Sequence, residues 1–574
     1  MKIQRSVLKT ARFALIPFTL LVLTAGCTVE VRAAAPPLLN AMKTEMQRSM
    51  KELSTKERPP YFLSYCVTDI QTANISVSFG NVEAVNANST RLLDIDMRVG
   101  DYKLDNTHVI RGQAFDFGGG GRGGKVLPLG NDEMAIRQSL WLATDRTYKQ
   151  AVERYGKVVT NKAVKVKEED LSDDFSREKP VTHVDDVPPF AADTAQWKGI
   201  MKRVTSLFQR DPKIYQARMY FQADLNVKYF ISSEGTEVVS AEPIVKLFLV
   251  ANTKADDGMV LPLYKSYTAF STERLPNEEA LRKDAEDMIA MLGRLRTAPL
   301  AETYTGPAIL SGRSSGVFFH EIFGHRVEGH RQKDPNSSQT FKNFVGKKIL
   351  PDFIDVVFDP TLKQRDGVDL VGYFKFDDEG VEGKKVTAVE NGIFKSFLMS
   401  RSPIENFPNS NGHGRRQAGY RCVARQSNLM VIAKQQVSYD SLRTALRTEC
   451  KKQNKEYGLL FEDISGGFTF TGRTVPNAFN VQPLVVYKIY ADGRADELVR
   501  GVDLIGTPLA TFNNIIAAAS DIGIFNGVCG AESGGVPVSA SSPSILVSTI
   551  EVQKKAKSQA KPPLLPSPIG AAKQ

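Results

Sequence analysis

The stretch FFHEIFGHRVEGHR, residues 318–331, constrains this chain more than any other. It sets His320 and Glu321 side by side and places a second histidine, His325, five residues after the first. Two histidines four apart on a helix face one metal ion, and a glutamate next to the first can act as general base. Five apart is a different geometry. At 3.6 residues per turn, His320 and His325 would lie about 140° apart around a regular helix, where their imidazoles cannot share an ion. A π-bulge in that turn, or a helix that ends there, restores the convergence. Gly324, directly before His325, is the residue that tolerates a distorted turn at least cost. The spacing therefore fits a metal site if residues 320–325 leave the regular helix. Otherwise His320 and Glu321 are ordinary polar residues near a helix start.

The net charge of +10 suggests nucleic acid until it is located. Lys2, Arg5, Lys9, Arg12 and Arg32 stand against Glu30 alone in residues 1–33, and the tail from 554 holds Lys554, Lys555, Lys557, Lys561 and Lys573 with no acid. Both ends removed, the body is near neutral, so no nucleic-acid partner is expected. The first basic block has its own explanation. MKIQRSVLKTAR is a cationic segment, and FALIPFTLLVLTA is an apolar one of 13 residues, followed by small residues. That pattern predicts an export signal over residues 1–33; the apolar segment is too short to span a bilayer. Ala25-Gly26-Cys27 resembles the end of a bacterial lipobox, with Thr24 in place of the usual Leu, and would lipidate Cys27. Val31-Arg32-Ala33 resembles an ordinary cleavage site. Either processing predicts a protein exported to the periplasm, and the first would attach it to a membrane. Five cysteines in 574 residues do not make a disulfide framework.

Hydrophobic periodicity predicts an α+β fold. Residues 34–300 read as an N-terminal α+β domain with an antiparallel sheet. Helical stripes occupy 36–54, 132–155, 194–209 and 277–297, and strand-like runs occupy 61–70, 75–80 and 92–100 and both sides of a turn at Glu234-Gly235. The charged stretch 165–180 reads as solvated surface. The glycine run 118–124 reads as a flexible loop; no Gly-Lys-Ser/Thr follows it, which excludes a phosphate-binding loop. TAPLAETYTGPAIL, 297–310, marks the crossing into a β-rich C-terminal domain, 301–553, whose one good helix, 440–458, has a Gly stop. The basic, Pro-rich tail 554–574 is expected to be disordered.

HEIFGH with Gly324 resembles the His-Glu-x-x-x-His element of the TldD/PmbA metallopeptidases. The likeness continues through GHRVEG (324–329), FDDEGVEGKKVTAVENGIF (376–394), GHGRR (412–416), RQSNLMV (425–431), ISGGFTF (464–470) and GVCGAESGGVPVSASSPSILV (527–547), in the family's order. It spans nearly all of the C-terminal half; the N-terminal half shares only general α+β organisation. The resemblance implies that His320, His325 and Cys529 bind one Zn2+ and that Glu321 takes the proton from the attacking water. Three protein ligands with one open position mark catalytic rather than structural zinc. The family also implies a homodimer or a heterodimer with a related subunit, and extended or unfolded peptides as substrate. This chain keeps all four positions, as the active class does. The family's older label as a modulator of DNA gyrase finds no basic footprint here.

Four further residues invite a role in holding substrate. His413, Arg415 and Arg416 could grip a carboxylate or carbonyl, arginine being suited to bidentate contacts; a solvated basic loop is the alternative. His330 departs from the family pattern, and stands as an oxyanion or supporting group against a plain surface histidine. Asp377, Asp378 and Glu379 precede Gly380 and read as a turn rather than a calcium loop, whose spacing they lack. Two other functional classes remain open: a silent scaffold subunit that keeps the metal for stability, and a thiol hydrolase built on Cys529 with His320 or His325. With six histidines and no G-x-S-x-G, no serine triad emerges.

Overall fold

The computed structural model describes residues 37–110, 124–163, 170–190, 193–334, 336–469, 471–472, 479–506, 508–555 and 560–571. The leader 1–33 with Cys27, and residues 118–123 of the glycine run, lie outside them. No described helix is long and apolar enough to cross a membrane.

The N-terminal half is one antiparallel sheet covered by helices. Helix α1 (Pro37–Leu53) leads into β1 (Pro60–Ser78) and β2 (Asn81–Val99). The three short runs expected here are two strands of 19 residues each, paired along almost their whole length. Alternation is weak because Phe62–Thr68 of β1 is buried on both faces while Asn81–Ser89 of β2 is exposed on both. Helix α2 (Glu133–Ala163) and helix α3 (Thr194–Ser206) precede β3 (Gln216–Ser232), β4 (Glu237–Lys254) and β5 (Val260–Ala269). Helix α4 (Glu278–Thr297) is capped by Asn277, whose side chain accepts from Ala280 N at 2.9 Å. Leu281, Ala285, Met288, Leu292 and Leu295 of α4 and Met201 and Val204 of α3 bury one face of β3–β5.

Part of the stretch read as solvated is not. Phe175 is buried, with the guanidinium of Arg98 3.6 Å above its ring and that of Arg401 at 3.8 Å. The charged residues next to Phe175 in sequence mimic a surface segment, but Arg98 and Arg401, one from each half of the chain, sandwich its ring.

The C-terminal half is β-rich, around a strand of 21 residues, β14 (Gly534–Lys554). Its second half pairs with β6 (Tyr304–Leu310) and β12 (Val502–Gly506). Strands β10 (Tyr457–Thr469) and β11 (Phe479–Tyr490) join β6 to β12, so these strands close a ring. The first half of β14 pairs with β13 (Ile515–Ala531) and, in parallel, with β9 (Asn428–Ala433). Beyond β9 the sheet continues through β7 (Ile354–Phe358) and β8 (Val386–Glu390). The helix expected over 440–458 ends at Lys452, with Gly458 inside β10. Gly458 is needed there for packing, since a Cβ would fall 2.5 Å from Leu446 Cδ1. Of the tail, residues 560–571 lie among the described ones, and Lys254 Nζ donates to Ala560 O at 3.0 Å.

Asp377, Asp378 and Glu379 do form a turn. Asp377 Oδ1 accepts from Glu379 N and Val381 N, both at 2.9 Å, and Gly380 takes φ +75°. Asp377 and Asp378 are buried and Glu379 partly so, however, and Asp378 meets Lys228 of β3 at 2.7 Å across the two halves.

Candidate metal centre

Helix α5 (Gly312–Ile322) follows β6 directly and carries the motif. Ser311 caps it, accepting from Ser314 N at 3.3 Å. Gly312 and Gly316, one turn apart, let it lie against the sheet: a Cβ would meet Gly523 N at 2.4 Å at the first and Ala540 O at 3.0 Å at the second. Every residue from Ser314 to Ile322 is buried, which is how a helix apolar nearly all round must sit.

The five-residue spacing is resolved by ending the helix. Regular α-helix stops at Ile322, and Gly324–Arg326 form a 3-10 turn that swings His325 back beside His320. No π-bulge is involved. Gly324 is required by close approach rather than by a left-handed turn, because a Cβ there would fall 1.9 Å from Gln426 Oε1. Arg326, fully buried, donates through Nη1 to Glu321 O at 3.0 Å and Ile322 O at 3.3 Å, satisfying carbonyls the helix end would leave unpaired.

Three side chains converge at that turn. The His320 and His325 rings are 5.1 Å apart between centroids, and Cys529 Sγ lies 3.2 Å from His325 Nε2. The ligand atoms of all three lie within 4.8 Å of one another. Cys529 comes from β13, so the cluster joins segments two hundred residues apart. The donor set of two imidazoles and one thiol suits a borderline-soft transition metal such as zinc. His320 Nδ1, buried and without a hydrogen-bond partner, is the kind of orphaned atom a metal would satisfy.

Burial alone would push the Cys529 thiol up, but the charges of His325 and His320 hold it well below the usual thiol range. Burial likewise opposes a proton on His325, yet Cys529 and Glu328 outweigh it. The sulfur is thus held toward the thiolate form in which it binds a metal, and a bound metal would take the place of the His325 proton. Behind it, Glu328 Oε2 lies 3.3 Å from His325 Nδ1 and accepts from Arg331 Nε at 2.8 Å. Burial would raise the Glu328 carboxyl; His325, Arg331 and Arg425 hold it down at about 2. Arg425 also donates to Cys529 O at 2.6 Å and Ser533 Oγ at 2.7 Å, tying the β13–β14 hairpin to the same carboxylate.

Glu321 lines, with the three ligands, a cavity of about 410 Å³. Gly467 of β10 backs its side chain: a Cβ at 467 would fall 2.3 Å from Glu321 Cγ. His330 is half-buried. Its Nε2 meets the carboxylate of Glu532, which Arg331 Nη2 also holds at 2.9 Å, and Glu532 lines the cavity. The structure does not bring His413, Arg415 or Arg416 to this cavity. His413 is fully buried with Nε2 3.0 Å from Ser427 Oγ, and Arg415 donates to Pro537 O at 2.6 Å. Arg416 pairs with Asp94 of β2 at 3.3 Å. All three are engaged in holding loops and halves together, and none of them lines this cavity. Glu328, Arg425, Gln426 and Glu532 stand within the quoted motifs, but nothing in their spacing shows that they meet.

Residues 303–554 match the family model described as PmbA/TldA metallopeptidase C-terminal domain. The C-terminal domain belongs to the TldD/PmbA family. An Archaeoglobus fulgidus protein named a metalloprotease is 30% identical over 268 residues, 47% of this chain and 58% of the relative. The chain thus spans little more than half the length of that relative. A Saccharolobus solfataricus protein named a zinc metalloprotease TldD homolog is 23% identical over 358 residues, covering 59% of this chain and 72% of the relative. The crystal structure of TldE from Thermococcus kodakarensis superposes with a TM-score of 0.57 at 13% identity, covering 89% of this chain and 100% of the other. The TldD/PmbA fold therefore extends through the N-terminal half as well, where sequence likeness has faded.

Proposed function

We propose that this TldD/PmbA-family protein is a zinc-dependent peptidase that hydrolyses extended peptides outside the cytoplasm, paired with a second copy or a related subunit. The convergence of His320, His325 and Cys529 beside Glu321 in one cavity carries the reading. Zinc bound there supplies a Lewis acid that polarises a carbonyl and acidifies water. Glu321 then serves as base, taking a proton from the attacking water and passing it to the leaving amine. Gly467 keeps its carboxylate aimed into the cavity, and Glu328 fixes the orientation of His325. Among the described residues, the Ile522–Ala531 segment of β13 pairs on one side only, with β14. An extended peptide added to its open edge would run past Cys529, a sequence-tolerant way to present a backbone. The leader composition supports export, and the likeness to TldE supports pairing with a related subunit.

Elemental analysis of wild type and Cys529→Ala, with peptide cleavage by wild type and Glu321→Gln, tests the proposal. About one zinc per chain, reduced in the first variant, and cleavage abolished in the second are expected. No metal after purification with zinc would overturn it. The 3.2 Å Cys529–His325 pair favours a second reading, a thiol hydrolase, which predicts activity that survives chelators and is lost on alkylation.

A further inference from the structure

The open face of the N-terminal sheet carries the wrong residues for solvent. Along β4, Val245, Leu247 and Leu249 are buried under α3 and α4, and of the alternate residues facing the other way Ile244, Phe248 and Val250 are apolar, while Lys246 between them is paired with Asp224 of β3. An antiparallel sheet with one face on the core is expected to be polar on the second. Here Phe248 stands between Tyr220 of β3 and Ser266 of β5, and Val250 beside Tyr264, an apolar floor across three strands. Facing it across a groove of about 490 Å³ are Phe525 and Val528 of β13. Val528, next to Cys529, is 56% exposed and Tyr220 is 38% exposed.

The groove is continuous with the metal cavity. Ser465, Phe525 and Val528 line both. Its walls are also fixed. Arg313, on the same helix as His320, donates through Nη2 to the Tyr264 hydroxyl at 2.8 Å, and that hydroxyl donates to Ser465 O at 2.6 Å. The same guanidinium lies 5.3 Å from the centroid of the Phe525 ring. That ring folds over Gly527, where a Cβ would fall 2.6 Å from Phe525 Cε1. The helix that supplies a metal ligand thus also sets the position of the groove.

We propose that this groove is a side-chain subsite selecting a large apolar residue of the peptide next to the scissile bond. The inference rests on the peptidase reading and gives it a substrate class. A backbone laid along the β13 edge beside Cys529 presents its side chains alternately to the two faces of that strand, and one face opens on Phe248, Val250 and Tyr264. Specificity then comes from one residue while the rest of the chain is held through its backbone.

A set of peptides differing at one position, Phe, Leu, Ala or Asp, tests the subsite on the wild-type holoenzyme by kcat/KM. Leu and Phe should exceed Ala by about 10- to 200-fold, the discrimination a filled apolar pocket achieves, and Asp should be poorest. Phe248→Ala and Val250→Asp should each collapse that ratio toward one. Fluorescence anisotropy of the same labelled peptides on Glu321→Gln protein reads binding without turnover, and the same order is expected. Apolar-selective binding with no cleavage of any peptide would end the peptidase reading and leave the subsite. Equal cleavage and binding of all four peptides by wild type would overturn the subsite and leave the peptidase. Sedimentation showing that Val250→Asp splits a dimer while the peptide order is unchanged would make the groove a subunit interface and overturn the proposal as well.

Discussion

Glu328 shows what a single side chain contributes without touching any substrate. It is fully buried, faces His325 Nδ1, and holds Arg331 and Arg425. A carboxylate behind a ligating imidazole fixes its tautomer and raises its basicity. Glu328→Gln should therefore weaken metal binding by about 10- to 100-fold, read by competition with a chromogenic chelator; unchanged affinity would mean that the 3-10 turn alone orients His325. Gly324→Ala makes a different demand. The added methyl collides with the buried Gln426 carbonyl oxygen, so a loss of about 1–3 kcal/mol in denaturant unfolding is expected, as for an overpacked core. Gln426→Ala in the same chain should recover part of it, because the two sites share one contact. At this scale the four chemical positions came through the resemblance to the family's motifs, because the five-residue spacing alone left His320 and Glu321 open to an ordinary polar reading and nothing local ties Cys529 to them. Glu328 was not, because its role depends on Arg425 and Arg331, whose meeting only the fold decides.

Among the elements, the end of α5 and the irregular stretch of β10 work as a pair. Helix geometry alone would separate His320 from His325. Stopping at Ile322 with Arg326 on the freed carbonyls brings them together, and it also leaves Glu321 in the last turn, facing β10. Register shifts in β10 between Asp463 and Gly467 put a residue without a side chain against Glu321. Gly467→Ala should displace Glu321 and leave the three ligands in place. Cleavage should drop by at least tenfold with zinc content unchanged; a variant that loses its zinc would show that β10 holds the ligands instead. The sequence pattern gave helices well, because a buried stripe at 3.6 spacing is a strong signal. It shortened β1, buried on both faces over Phe62–Thr68, and β2, exposed on both over Asn81–Ser89, and it misplaced Phe175, whose charged sequence neighbours hide that Arg98 and Arg401 stack on it from elsewhere in the chain.

Over the whole molecule, the two halves are joined by ion pairs at a largely buried junction. Lys228 of β3 meets Asp378 at 2.7 Å, Arg416 meets Asp94, and Arg401 meets Glu234. None of these was legible, since each links residues more than a hundred apart, and nothing local shows that residues 378–416 come to lie against the N-terminal sheet. Burial would raise the Asp378 carboxyl, but Lys228 and Arg416 hold it below its ordinary value. A depressed carboxylate contributes stability that is fully present above its unfolded pKa of about 3.9 and is lost as pH falls through the lower folded value. Its neighbours Asp377 and Glu379 shift the opposite way, raised by burial, with the charge of Glu379 adding at Asp377. The comparison that isolates Asp378 is therefore wild type against Asp378→Asn, in which those neighbours largely cancel. At pH 7 the variant leaves Lys228 with Glu242 as its remaining partner, at 2.9 Å, and should be about 1–3 kcal/mol less stable in denaturant unfolding. At pH 3 and below the gap should narrow, because wild-type Asp378 is then losing its charge as well. A gap that stays constant from pH 7 to pH 2 would show that Asp378 acts through packing and its hydrogen bond from Arg416 N, and not through its charge.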